Sequence, residues 1–303
     1  LKLTIEKERD AGLEAMACRH ADEEMTAARV LADGNPPRFQ AALDKIRTLR
    51  DERPRLPAPK LAELSVLENL LDGNRNKFWS QVLADTKRLK EAKCFGEARK
   101  RFQDLLSIPD EGWDSVILIP LGELESAEKG LLDKAAREVA DQTAAFELAA
   151  ACTKTAETLQ ALKNTPEEAR IQTLMDRTKA LKDLHEQVLN AINSRLLQDQ
   201  YSMKDANGLG RVDSATPDTL KIHHHREGFV TTTAWKKISA QDYVALCRHY
   251  LDLRKAESRY LLFCYYWDRR LWKEASTERE KAKAVLDRNP GMLAAFEADN
   301  PEP

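Results

Sequence analysis

The sequence predicts a mostly α-helical protein with a small α+β module at its C-terminal end. Three observations predict it. Glycine (11 residues) and proline (12) are scarce in a chain of 303. Apolar residues recur at steps of three and four through most of the chain, the period of an amphipathic helix. Only the region from 201 to 235 abandons that period. It begins with a run rich in Gly, Asp, Ser and Thr, then alternates like a strand in "TLKIHHHREGFVTTTAW" (219–235).

Composition narrows the classes. Charged residues make up 32% of the chain, yet the net charge is only -2, which leaves no basic footprint for nucleic acid. No apolar run approaches the roughly eighteen to twenty residues that span a bilayer. The cysteines (Cys18, Cys94, Cys152, Cys247 and Cys264) are odd in number and never spaced as CxxC. That usage fits a reducing, cytoplasmic setting better than a disulfide framework or a thiolate zinc site. The chain opens on Leu1 rather than Met, as a fragment lacking an N-terminal address would.

Residues 1–120 read as irregular helical hairpins. "DGNPP" (33–37), "RPRLPAP" (53–59), "DGN" (72–74) and "IPDEG" (108–112) punctuate them. Within the helices "RFQAALDKIRTL" (38–49) and "CFGEARKRFQDLL" (94–106) each set an aromatic three residues before an alanine. "LWKEASTEREKAKAVL" (271–286) repeats the pattern. Ala42, Ala98 and Ala275 would lie where helices cross closely, with Phe39, Phe95 and Trp272 in the adjacent groove. This pattern resembles the second helix of a tetratricopeptide-type hairpin. The resemblance implies stacked hairpins with a concave surface, the architecture of an adaptor. The copies do not follow that family's period of about 34 residues.

Residues 121–200 predict a long antiparallel two-helix arm. Leu132, Ala135, Val139, Thr143, Phe146, Ala150, Thr153, Ala156, Leu159 and Leu162 form one stripe. Ile171, Leu174, Thr178, Leu181, His185, Val188 and Ile192 form the other. Between them Thr165 has the chemistry of an N-cap and Pro166 that of a first helical residue. Arms of about forty and thirty-five residues would make a hairpin roughly 50 to 60 Å long. Residues 201–218 then read as a flexible linker. Residues 219–303 read as an α+β module, a β-hairpin on helices with an aromatic core. Ten of the chain's nineteen aromatics fall between 229 and 272.

No catalytic signature emerges, and no catalytic residue, cofactor or metal site is expected. His223 and His225 share one face of a strand, but no third ligand stands at a metal-site spacing. Cys247 and His249 are two apart on a helix and do not face each other. An enzyme using Cys247 or the His223–His225 cluster is thus the weakest reading. "GLG" (208–210) lacks the third glycine of a dinucleotide fingerprint, and "DANG" (205–208) lacks a calcium loop's later ligands. His185 reads as an interior polar residue. Tyr265, Tyr266, Arg269, Arg270 and Trp272 combine the residue types of interface hot spots and form the candidate partner surface.

A long irregular segment between two structured regions is either a tether or a functional loop. "QYSMKDANG" would offer a protease an extended stretch with side chains for its pockets. The "SMKD" junction and the order of regions resemble the substrate protein of the type III-E CRISPR system. The resemblance implies cleavage at a Met–Lys bond by an RNA-activated, caspase-like protease. On it, Met203 and Lys204 flank the scissile bond, Tyr201, Ser202 and Asp205 serve recognition, and a C-terminal effector module is freed. The chain is accordingly expected to be a non-enzymatic regulatory or interaction protein. Its partners would be proteins, a protease and a transcription or signalling factor among them, with no nucleic acid and no membrane. An unprocessed tetratricopeptide-like adaptor is the alternative.

Overall fold

A computed structural model describes residues 2–52, 56–109, 111–195, 199–205, 208–224 and 228–300. The chain divides into two compact units, Leu1–Ser126 and Ala127–Pro303. The expected architecture is present: helices throughout, with one four-stranded antiparallel sheet near the C-terminal end.

The N-terminal unit holds α1 (Lys2–Ala32), α2 (Phe39–Glu52), α3 (Ala58–Glu91), α4 (Phe95–Leu106) and the start of α5 (Asp114–Ala144). α2 packs on α1 and α4 on α3. Ala42 and Ala98 are fully buried, and Phe39 and Phe95 nearly so, as the aromatic–alanine pattern requires. The expected stop at "DGN" is absent, because α3 runs straight through Gly73. A helical glycine costs only about 1 kcal/mol, which the flanking buried leucines Leu67 and Leu71 offset. Glu111 is 1% exposed and caps α2, accepting from the backbone N–H groups of Gln40 (2.8 Å) and Ala41 (3.3 Å).

The C-terminal unit contains α6 (Leu148–Leu162), α7 (Glu168–Ser194), β1 (Ser202–Asp205), β2 (Gly208–Ala215), β3 (Thr219–His224) and β4 (Phe229–Ala234). After a 3-10 turn at Trp235–Lys237 come α8 (Ala240–Tyr250), α9 (Ala256–Asp268), α10 (Trp272–Lys281), α11 (Lys283–Leu286) and α12 (Pro290–Asp299). α6 and α7 pack along each other, so the return at 163–167 is as expected. The cap differs from the expected one: α7 opens at Glu168 with Glu167 in the cap position and no side-chain cap, while Thr165 and Pro166 lie in the turn before it. There Thr165 Oγ1 accepts from Glu167 N at 3.3 Å and the Glu168 carboxylate accepts from Asn164 N at 2.7 Å, which holds the turn.

The first arm, however, is broken. Phe146 sits at φ 61°, Glu147 N donates to Gln142 O (2.8 Å), and α5 closes in a Schellman turn before α6 begins. A left-handed phenylalanine is unfavourable by roughly 1–2 kcal/mol. Its ring compensates by packing on Tyr243 (5.3 Å), His185 (5.4 Å) and Trp235 (6.2 Å), with the Arg269 guanidinium 5.4 Å from its centroid.

The linker expected at 201–218 is also corrected: β1 and β2 occupy most of it. The sheet order is β1-β2-β3-β4, every neighbour antiparallel, with a bulge between Val212 and Ser214. The expected β-hairpin at 219–235 is β3 and β4. One inner face carries Met203, Val212, Ala215, Leu220 and Ile222 into a core shared with α7, α8 and α9. The predicted boundaries at 200 and 218 therefore cross a single hydrophobic core instead of separating modules. Tyr243, Leu246, Tyr250, Phe263 and Trp267 are all buried in it.

Candidate functional site

Most of the sequence-selected residues have a definite place. Met203 is 6% exposed and part of the core, while Ser202 and Lys204 on the same strand are exposed. Their alternation follows from the two-residue period of a strand. Among the described residues β1 pairs on one side only, Ser202 opposite Arg211, Met203 opposite Gly210 and Lys204 opposite Leu209. The bond between Met203 and Lys204 thus lies in a short edge strand. The Asp205 side chain lies outside the described residues.

Upstream of β1 the chain is tethered. Gln200 Nε2 donates to Ile192 O (2.8 Å) and Arg195 O (3.1 Å), satisfying carbonyls at the end of α7. The Tyr250 hydroxyl donates to Gln200 Oε1 and accepts from Tyr201 N at 3.0 Å. His249 Nε2 donates to Asp199 O at 3.0 Å, its ring lies 5.5 Å from that of Tyr201, and the Arg195 guanidinium sits over Tyr250. Burial pushes the Tyr250 hydroxyl above its ordinary range, so it stays protonated and able to donate. Downstream, Asn193 of α7 exchanges two hydrogen bonds with the backbone of Ala215, at 2.8 and 2.9 Å. Helix α7 therefore grips the chain on both sides of Met203–Lys204. No property of the sequence alone marks Gln200, Tyr250 or Asn193, because their partners are distant in the chain.

The expected partner surface does not form as one surface. Tyr265 and Tyr266 are 4% and 3% exposed, since α9 is buried without a break from Leu261 to Trp267. Arg269 folds inward and donates to Thr143 O at 3.0 Å. Trp272 is half-buried against Phe296 (6.1 Å), and only Arg270 stands exposed, at φ 55° in the turn after α9. The aromatic and basic residue types that read as an interface are here a core with a cationic rim.

The chemistry candidates are equally legible. Cys247 is fully buried and its thiol is pushed far above its ordinary range by desolvation, the opposite of an activated nucleophile. His224, not His223, points into the core, stacking on Phe229 (4.7 Å) with Nε2 3.1 Å from Thr231 Oγ1. His225 lies outside the described residues. Among the described residues no three His, Cys, Asp or Glu side chains converge as metal ligands, and no helix is long and apolar enough to cross a membrane.

His185 is 5% exposed, between Tyr243 Oη and Pro217 O at 3.3 Å each. Burial holds its pKa below the usual histidine value, with the Pro217 carbonyl opposing in part. A cleft of about 660 Å³ lies between α5, α7 and α12, with Arg177, Trp267 and Asp299 at one end. There Arg177 covers the Trp267 ring (4.7 Å) and pairs with Asp299 (3.7 Å).

No family model, curated protein or solved structure matches the chain.

Proposed function

We propose that this chain is a non-enzymatic regulatory and interaction protein whose control point is the Met203–Lys204 bond. The observation that carries this reading is the position of the bond in an edge strand. Proteases bind substrates extended, and β1 is already extended with one edge unpaired. Engagement requires lifting β1 from β2 and drawing Met203 from the core. Burying a methionine is worth about 1.5–3 kcal/mol and each ladder hydrogen bond about 0.5–1.5. That opening is within reach of a dedicated protease and resists casual ones.

The likeness of Ser202–Asp205 to the type III-E CRISPR substrate supplies the protease class, an RNA-activated caspase-like enzyme of the cytoplasm. Cleavage would divide α1–α7 from β2–β4 and α8–α12. The core spans the division, so the nicked protein stays assembled. The cut turns a covalent restraint into a non-covalent one, which a partner of the C-terminal part can then displace.

The test is to incubate the chain with such a protease and its RNA activator and to weigh the products intact. Two products meeting between Met203 and Lys204 support the reading, whereas an uncut chain or a cut elsewhere rejects it. A second reading, an unprocessed tetratricopeptide-like scaffold, draws support from the burial of Met203 and from the aromatic–alanine helices of the N-terminal unit. The uncut outcome favours it.

A further inference from the structure

The sheet has a second face, turned away from the core, and its chemistry is specific. The register places Lys204 opposite Leu209, Arg211 opposite His223, and Lys221 opposite Ser214. Lys204 and Arg211 are therefore diagonal neighbours, as are Arg211 and Lys221, at roughly 7–8 Å. Three cations thus cross three strands in one diagonal row. None of the three makes an ion pair or side-chain hydrogen bond among the described residues. The one described carboxylate in the strands near them, Asp213 at the bulge, accepts instead from Ser214 Oγ at 3.2 Å. Like charges at this spacing repel one another, which an anionic occupant would relieve. Two apolar side chains flank the row: Leu209 is 68% exposed and Val230 51%.

We propose that this outer sheet face docks an acidic, partly apolar protein segment in extended form, its carboxylates meeting Lys204, Arg211 and Lys221. Alternate side chains of an extended chain repeat at about 6.6–6.8 Å, close to the spacing of the row. The side chains between the carboxylates point away from the sheet, so Leu209 and Val230, beside the row, take apolar side chains that stand in step with the carboxylates. The face favours a peptide over single-stranded nucleic acid because, among the described residues, it presents no Phe, Tyr or Trp as a platform for bases, His223 being its one ring. Phe229 stacks on His224, which belongs to the inner side. The inference does not depend on cleavage at Met203–Lys204.

The experiment is fluorescence polarisation of the whole chain with a labelled extended peptide about nine residues long, carrying Val, Glu, Glu, Glu and Val at alternate positions and Ser between them. Saturable binding is expected, weakening with added salt. Arg211→Glu and Lys221→Glu should each weaken it about tenfold while the melting temperature holds. Arg211→Gln, a milder change, should weaken it less, and Leu209→Asn should weaken it without altering the salt dependence. The proposal is overturned by absence of saturable binding. It is equally overturned by unchanged affinity in folded Arg211→Glu and Lys221→Glu chains. Displacement of the peptide by oligouridine at lower concentration than by unlabelled peptide would assign the face to nucleic acid instead.

Discussion

Asn193 and Ala215 exchange a pair of hydrogen bonds, Asn193 Nδ2 to Ala215 O and Ala215 N to Asn193 Oδ1, joining α7 to the end of β2. The two residues stand on opposite sides of the Met203–Lys204 bond, so the contact bridges any cut made there. Asn193→Leu removes both bonds and leaves a partly buried N–H and C=O unpaired. A loss of about 1–3 kcal/mol is expected, read from chemical denaturation. Faster cutting within β1 should accompany it.

Gly210 is fixed by packing. A Cβ there would meet Ile222 Cγ2 at 2.5 Å, with His223 O and His224 Cε1 each at 3.1 Å. Gly210→Ala should therefore destabilise by about 1–3 kcal/mol. Gly130→Ala, with nothing within 4 Å in a helix, should be neutral or stabilising. Thermal melts of the two variants compare them directly; equal effects would mean that β2 does not approach β3 as described.

His185 makes stability depend on pH in one direction. Its folded pKa lies below the ordinary 6.5 because burial disfavours the imidazolium. As pH falls through that value the unfolded chain takes up the proton first. The contribution is complete above about pH 6.5 and declines down to the folded pKa. His185→Gln should flatten the melting temperature between about pH 7 and pH 5 relative to the parent.

Thiol reactivity should sort by burial. Cys247 and Cys264 are fully buried, Cys264 with its thiol pushed up to about 12, while Cys18 and Cys94 are partly exposed. Iodoacetamide on the native chain should modify Cys18 and Cys94 and spare Cys247 and Cys264 until denaturant is added. Rapid native alkylation of Cys247 would reopen the cysteine-enzyme reading.

Much of the fold is legible in the sequence, and the missed parts have physical causes. The β3–β4 hairpin is visible because Leu220 and Ile222 alternate with polar neighbours. The β1–β2 hairpin is hidden because its glycines serve close approach and an unusual φ, 118° at Gly208, and so read as loop. The break at Phe146 is hidden because the apolar period continues unbroken through it; only the aromatic pocket that receives the ring reveals the turn. Tyr265 and Tyr266 read as surface because a helix buried on every side leaves no polar face to set its orientation. The tethers of β1 depend on partners as far as fifty residues away, Gln200 on Tyr250 among them.

The most direct measurement uses an endoprotease that cuts on the amino side of lysine. Intact-mass mapping and size exclusion under native conditions then follow. Opening β1 should expose Met203–Lys204 to a slow cut, faster in the Asn193→Leu chain, and the nicked halves should elute together until denaturant is added. Halves that separate spontaneously would contradict the shared core. Indifference of the Met203–Lys204 cutting rate to loss of Asn193 would contradict the role of α7 in guarding the bond.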